Sequence, residues 1–155
     1  MILTTRARGR KKKTPCAAGE EVRCAGRGVS YRAAFAANLG GMFIHFGQNV
    51  CANFDFTLVD DAPIYVGDGT LFGPNVTLTT AGHPIDPRSS RRRGYIFCEP
   101  IHIGRNCRIG AHSTVARDIP ADVVAYGSPC RGARKISARD KAFYSREKRI
   151  RVEER

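Results

Sequence analysis

The sequence predicts an all-β protein, a parallel β-helix wound from six-residue repeats, and two observations predict it. First, small or apolar residues recur six apart in three runs: Phe46, Ala52 and Leu58; Val66, Phe72 and Leu78; Ile103, Ile109 and Val115. A helix of 3.6 residues per turn would carry such a repeat around its axis instead of holding it on one face. Second, the residues between are turn formers, as in Val66-Gly67-Asp68-Gly69, Phe72-Gly73-Pro74-Asn75 and Ile103-Gly104-Arg105-Asn106. Gly and Asn tolerate the positive φ that a sharp corner demands. Each unit is therefore a very short strand and a turn, and stacked coils of such units pair their backbones around one narrow core. A β-sandwich would show longer strands, with turns spaced about 8–12 residues apart.

Along the chain, residues 1–34 have neither a helical nor an alternating apolar period, and they are rich in Gly and basic residues. A poorly ordered N-terminal segment is expected there. Residues 35–130 are expected to form the β-helix domain. Within it the repeat breaks after Leu78 for a loop running from Thr79 to Pro100, and loops extruded from an array often carry function. The array is expected to end after Val115. Residues 131–155 read as a basic tail, whose charged run from Ser137 onward predicts a short helix with a solvated face.

The chain has 155 residues, enough for one domain with its own core. Hydrophobic residues make up 42% and charged residues 26%, which excludes a wholly disordered or collagenous chain. No apolar run approaches the ~20 residues of a membrane span, and the N-terminus lacks the apolar stretch of a secretory signal. The formal net charge of +12 suggests nucleic acid at first sight. Its distribution argues otherwise. Residues 1–34 carry 9 basic and 2 acidic residues, residues 131–155 carry 10 and 4, and the body between carries 7 and 8. Basic ends around a near-neutral body are solvated tails or loose polyanion contacts, and no specific nucleic-acid partner is expected. The six cysteines, Cys16, Cys24, Cys51, Cys98, Cys107 and Cys130, form no CxxC and no zinc-like cluster with histidine. Free, small buried residues in a reducing cytoplasm are expected.

The stretch from Ile44 to Tyr144 carries six further signals: Asn49–Asp55 (NVCANFD), Leu58–Asp61 (LVDD), Pro74–Leu78 (PNVTL), Ala81–Pro84 (AGHP), Pro100–Asn106 (PIHIGRN) and Tyr126–Arg131 (YGSPCR). In this order they resemble the galactoside/maltose O-acetyltransferases, left-handed β-helix acyltransferases of the hexapeptide-repeat class. The resemblance implies a homotrimer of triangular prisms with active sites between subunits. It also implies acetyl transfer from acetyl-CoA to a sugar hydroxyl, without a metal and without an acyl-enzyme.

His83 is the candidate base. A sugar hydroxyl attacking a thioester needs a positioned group to take its proton, and an imidazole titrating near neutrality suits that task. His83 stands in Gly-His-Pro at the root of the extruded loop, and the resemblance makes it the family's catalytic base. Asn53 and Asp61 match acceptor-binding positions, although Asn and Asp also serve as plain corner residues. Ala111 matches a backbone N–H donor for the oxyanion of the tetrahedral intermediate. Arg117, Arg131 and Arg134 match basic positions around the coenzyme's phosphates. His45 and His102, in similar Ile-His frames, point to surface or coil-packing roles. His112 follows Gly110-Ala111, and no zinc-ligand motif accompanies any of these histidines.

The chain departs from the family pattern in four ways. About one coil, roughly three hexapeptides, is missing between Gly110 and Asp118. Arg108 stands at the usual aromatic place before Ile-Gly, and Tyr95 follows Gly94 where Glu is common. The family's N-terminal helical domain is replaced by residues 1–34. The alternative reading is therefore a catalytically impaired β-helix scaffold that acts through assembly or interaction.

Overall fold

The computed structural model describes residues 30–31, 36–88, 92–145 and 148–149. Most of the segment expected to be poorly ordered lies outside these residues. The first coil has strands β1 (Ser30–Tyr31), β2 (Ala36–Ala37) and β3 (Ile44–Phe46). The second has β4 (Cys51–Ala52), β5 (Thr57–Val59) and β6 (Ile64–Val66). The third begins with β7 (Leu71–Phe72) and β8 (Thr77–Thr79). It is interrupted by a hairpin of β9 (Ala81–Gly82) and β10 (Phe97–Cys98), and resumes at β11 (Ile101–Ile103). The fourth has β12 (Arg108–Ile109), β13 (Thr114–Val115) and a single parallel bridge from Ile119 to Ile103. Strand β14 (Val123–Tyr126) opens a fifth coil, and β15 (Arg131–Lys135) turns back along it antiparallel. Helix α1 (Ala138–Ala142) and a hairpin of β16 (Phe143–Ser145) and β17 (Lys148–Arg149) follow.

Three faces result. Face A stacks β1, β4, β7, β12 and β14, ending in β15; face B stacks β2, β5, β8 and β13; face C stacks β3, β6 and β11. The middle coils repeat every 20 residues on all three faces, as in Ile44↔Ile64, Cys51↔Leu71 and Thr57↔Thr77. The step lengthens to 37 from Leu71 to Arg108, where the loop is inserted, and shortens to 16 from Arg108 to Val124.

The nine six-spaced residues form the expected core. Phe46, Val66 and Ile103 stack on face C, Ala52, Phe72 and Ile109 on face A, and Leu58, Leu78 and Val115 on face B. Eight of the nine are buried and Phe46 packs against them. The array does not end at Val115. Ile119 and Ala125, both buried, extend two of these columns by one coil. The shortened corner before Ile119 breaks the spacing of six and hides the continuation from a periodicity reading. Buried polar groups are satisfied inside the coils: the Thr70 hydroxyl donates to the Gly104 carbonyl at 2.9 Å, and that of Ser113 to the Gly110 carbonyl at 2.8 Å.

The corners use Gly and Asn differently from the sequence expectation. Positive φ falls on Asn49, Gly69, Asn106 and Asp122 between faces C and A, and on Asp55, Asn75 and His112 between faces A and B. Gly67, Gly73 and Gly104, directly after the apolar residues, are not in that region. They are glycine because the next coil lies against them. A Cβ on Gly67 would stand 2.5 Å from the Arg105 nitrogen, and one on Gly73 would stand 2.6 Å from the Ala111 nitrogen.

The expected short tail helix is present, and one expectation about the cysteines changes. The tail helix covers only Ala138–Ala142, too short to propagate by itself; the aromatic pair Phe143-Tyr144, with strand preference, opens the hairpin instead. Cys98 is exposed, whereas Cys107 and Cys130 are buried as expected. Burial raises both buried thiols above the usual cysteine range, so they hold little thiolate at neutral pH.

Two outcomes follow from this packing. Gly67→Ala should cost about 1–3 kcal/mol, because the Cβ meets backbone and not a movable side-chain tip; a lower midpoint in urea unfolding reads this. Under native alkylation with iodoacetamide, peptide mass mapping should find Cys98 modified and Cys107 and Cys130 protected. Equal labelling of Cys107 and Cys98 would contradict the closed coil.

Candidate functional site

Five of the seven predicted site residues fall on two different edges of the prism, and the other two lie on β15. On the edge between faces B and C the coils carry extra residues. In the second coil these are Asp60 and Asp61. Asp60 is fully buried, and its carboxylate accepts the Leu39 N–H at 2.8 Å and the Gly41 N–H at 3.1 Å. This is the corner role considered for Asp61, and it belongs to the neighbouring residue. Asp61 is half-buried at the surface, where its Oδ2 accepts from Asn38 Nδ2 at 2.9 Å.

One coil further, at the same edge, the inserted loop leaves through the β9–β10 hairpin. Gly82 in β9 lies under the Phe97 ring of β10, and any Cβ there would collide with that ring. The next residue is His83. It is exposed, and its Nδ1 lies 3.1 Å from the Tyr95 carbonyl oxygen at the other root of the loop. A carbonyl only accepts, so Nδ1 carries a proton, and it is Nε2 that has a lone pair in the neutral ring. Arg117, exposed, stands on the same edge in the fourth coil.

The edge between faces A and B carries the other half. Asn53, Pro74 and Ala111 occupy it in the second, third and fourth coils. The Asn53 Oδ1 accepts the Phe54 N–H at 3.0 Å, so part of this side chain does corner work. Its Nδ2 has no partner among the described residues. At the next turn position Pro74 has no N–H at all. The Ala111 N–H finds no acceptor among the described residues, which leaves it available for a ligand oxygen. A groove of about 470 Å³ runs along this edge and face A, lined by Asn53, Gly73, Pro74, Arg108, Gly110 and Ala111 with apolar neighbours. A larger groove of about 670 Å³ follows face C and holds none of the candidate residues. The lining chemistry, not the volume, picks out the smaller one.

Arg131 and Arg134 lie on β15, beside the A face. Arg131 Nη1 donates to the Cys130 carbonyl at 3.0 Å. Both terminal nitrogens of Arg134 donate to Asp140, at 2.7 Å each. His45 and His102 have the coil-packing role: their rings sandwich Tyr65, with centroids 4.8 Å apart on each side, the spacing of the strands that carry them. His112 is a corner residue with positive φ. Among the described residues no three His, Cys, Asp or Glu side chains gather as a metal site, and no helix is long and apolar enough to cross a membrane. Three participants are left unassigned by the sequence: the Tyr95 carbonyl, the Asn38 amide and the placement of Arg108 in the groove. Only the match of Arg108 to an aromatic position signals the last.

A parallel prism of six-residue strand-and-turn units, with a histidine at the root of one extruded loop, defines a hexapeptide-repeat acyltransferase architecture, which is left-handed. No family model matches the chain. A galactoside O-acetyltransferase of Lactococcus lactis is 42% identical over 137 residues, covering 77% of this chain and 66% of that protein. One from Escherichia coli is 40% identical over 128 residues, covering 71% and 63%. A solved galactoside acetyltransferase in complex with coenzyme A superposes with a TM-score of 0.65 at 36% identity, covering 80% of this chain and 72% of that one. The chain belongs to the galactoside/maltose O-acetyltransferase family. It spans just under two thirds of the length of these curated relatives. The 137 aligned positions take up 77% of the 155 residues here, about 119, so about 18 positions of the relative have no counterpart. That is three hexapeptides.

The Arg134–Asp140 pair has a pH signature. Arg134 first, then the Ser137 N–H and hydroxyl, hold the Asp140 carboxyl well below the usual carboxylate range. The pair therefore contributes fully above the ordinary value of about 4, and its contribution fades as the pH falls through the lowered one. The urea midpoints of the parent and Asp140→Asn should differ near neutrality and converge in strong acid. A difference independent of pH would separate the cap's stability from this pair.

Proposed function

We propose that the chain transfers an acetyl group from acetyl-CoA to a hydroxyl of a galactoside- or maltose-like sugar, with His83 as general base. The observation that carries this reading is the exposed His83 ring, held through Nδ1 by the Tyr95 carbonyl. The acceptor hydroxyl gives its proton to Nε2 as its oxygen attacks the thioester carbonyl. The negative charge then rests on the carbonyl oxygen, where the unpaired Ala111 N–H supplies a donor. Collapse of this intermediate breaks the C–S bond, and the proton returns from His83 to the leaving sulfur as CoA thiol. No metal enters these steps. Asn53 Nδ2 and the Asp61 carboxylate bind acceptor hydroxyls. Gly73 and Gly110 let the pantetheine arm approach the backbone, and Arg117, Arg131 and Arg134 meet the coenzyme's phosphates.

Two half-sites on two edges call for a second copy. In the proposed homotrimer the His83 edge of one subunit meets the Asn53–Ala111 edge of its neighbour. The solved galactoside acetyltransferase holds coenzyme A, which supports the coenzyme assignment, and the free thiols among the described residues fit a cytoplasmic setting. The scaffold alternative rests on the missing coil, and it predicts no heat of acetyl-CoA binding in calorimetry.

His83→Ala should lower CoA release with galactoside acceptors by about 10²–10⁴-fold, with unchanged circular dichroism. Full activity would remove His83 from the mechanism. Ala111→Trp should block the other edge. Mixed and reassembled, the two inactive variants should recover activity, since some interfaces then pair an intact His83 edge with an intact Ala111 edge. No recovery, with light scattering showing mixed trimers, would mean that each site lies within one chain.

A further inference from the structure

We infer that the groove beside Asn53 and Ala111 selects an acceptor carrying an anionic group, a carboxylate or phosphate on the sugar, which Arg108 binds. This rests on the function proposed above and deepens it. Among the described residues Arg108 is the only charged one lining the groove. Its neighbours on face A are Leu71 below and Val124 above, and its guanidinium has no hydrogen bond or ion pair among the described residues. It is thus a forked donor set against apolar walls, without an internal counter-ion. A guanidinium so placed matches the planar, bidentate geometry of carboxylate and phosphate. Arg108 is exposed at the mouth of the groove, so the pairing forms at the surface and is screened by salt.

The position also says which reactant the anion belongs to. Arg108 and Ala111 lie three residues apart in one strand-and-turn unit, at most about 10 Å of chain. The reacting carbonyl belongs beside the Ala111 N–H. The phosphates of acetyl-CoA stand a whole pantetheine arm away from that carbonyl, so an anion at Arg108 is the acceptor's. The net charge of +12 adds a long-range attraction for such acceptors that a neutral sugar does not feel.

The test compares galacturonic acid with galactose as acceptors, with acetyl-CoA as donor, in the parent and in Arg108→Gln and Arg108→Lys. The parent should favour galacturonic acid in kcat/KM by about tenfold or more, as expected for a charge-assisted hydrogen bond. The preference should shrink as salt rises. Arg108→Gln should bring the ratio to about one, through KM for the acid, and Arg108→Lys should restore part of it. A ratio that Arg108→Gln leaves unchanged overturns the inference. So does a rise in KM for acetyl-CoA at unchanged acceptor ratio, which would assign Arg108 to the coenzyme. Calorimetric binding of galacturonic acid, without donor, separates this idea from the reading it rests on. Binding to the parent that Arg108→Gln weakens about tenfold supports the anion site even if neither acceptor is acetylated. Equal binding of both sugars to the parent overturns it.

Discussion

The structure depends on one relation: each coil is held by backbone hydrogen bonds to the coils above and below it. Strands of two or three residues cannot pair usefully within their own coil. The Gly47 N–H donates to Val66, that of Gly67 to Ile103 and that of Gly104 to Ile119, so the ladder runs the length of the prism. Coils are therefore forced into register, and a side chain at a corner meets the backbone of the next coil at close range. This is why glycine recurs directly after the apolar residue, and why a single Cβ at Gly67 or Gly104 is costly.

The same relation decides where chemistry can sit. Faces tolerate no added residues, because one extra position turns the inward column outward. Added length collects at a corner, and here it collects between faces B and C. Two extra residues in the second coil provide Asp60 to close the first turn and Asp61 to face outward. In the third coil the same corner opens into the loop that begins at His83. At the corner between faces A and B there is no added length, and Gly73 and Gly110 are small because the next coil lies against them. His83 and the Ala111 N–H thus come to lie on different edges for reasons of packing, which is why the proposed reaction calls for a second subunit.

Much of this is legible in the sequence. The nine six-spaced residues mark the inward columns directly, since stacking turns a linear period into three faces. The continuation through Ile119 and Ala125 is not legible, because a corner two residues shorter interrupts the count while the pairing survives. The glycines suggest backbone freedom, whereas their cause is the neighbouring coil. For Gly67 that coil lies 37 positions further along the chain at Gly104, the same step as in the pairing Ile64↔Ile101. No local window of sequence holds both partners. His83 stands out by its setting between Gly and Pro. The Tyr95 carbonyl that sets its tautomer does not, as any residue supplies a carbonyl. Arg134 reads as an available cation, but Asp140, six residues on, occupies it.

The missing coil bears on how a coenzyme could lie on the prism. Where the fourth coil passes into the fifth, Asn106 reaches Asp122 at 2.9 Å and the Cys107 thiol meets the Pro120 carbonyl at 3.1 Å. In a chain one coil shorter, the wall beyond Ala111 would be shorter by one strand spacing, about 4.8 Å. If acetyl-CoA follows this edge with its carbonyl at Ala111, only β14 and β15 remain alongside the pantetheine arm. The phosphates then lie past the last coil, among the residues of the C-terminal cap, where Arg134 is already paired and Arg131 holds a carbonyl. Coenzyme affinity in this chain would come less from the prism wall than from the basic tail, where 10 of 25 residues are Lys or Arg. The charge that composition alone assigns to loose polyanion contact would then have a defined place in the reaction.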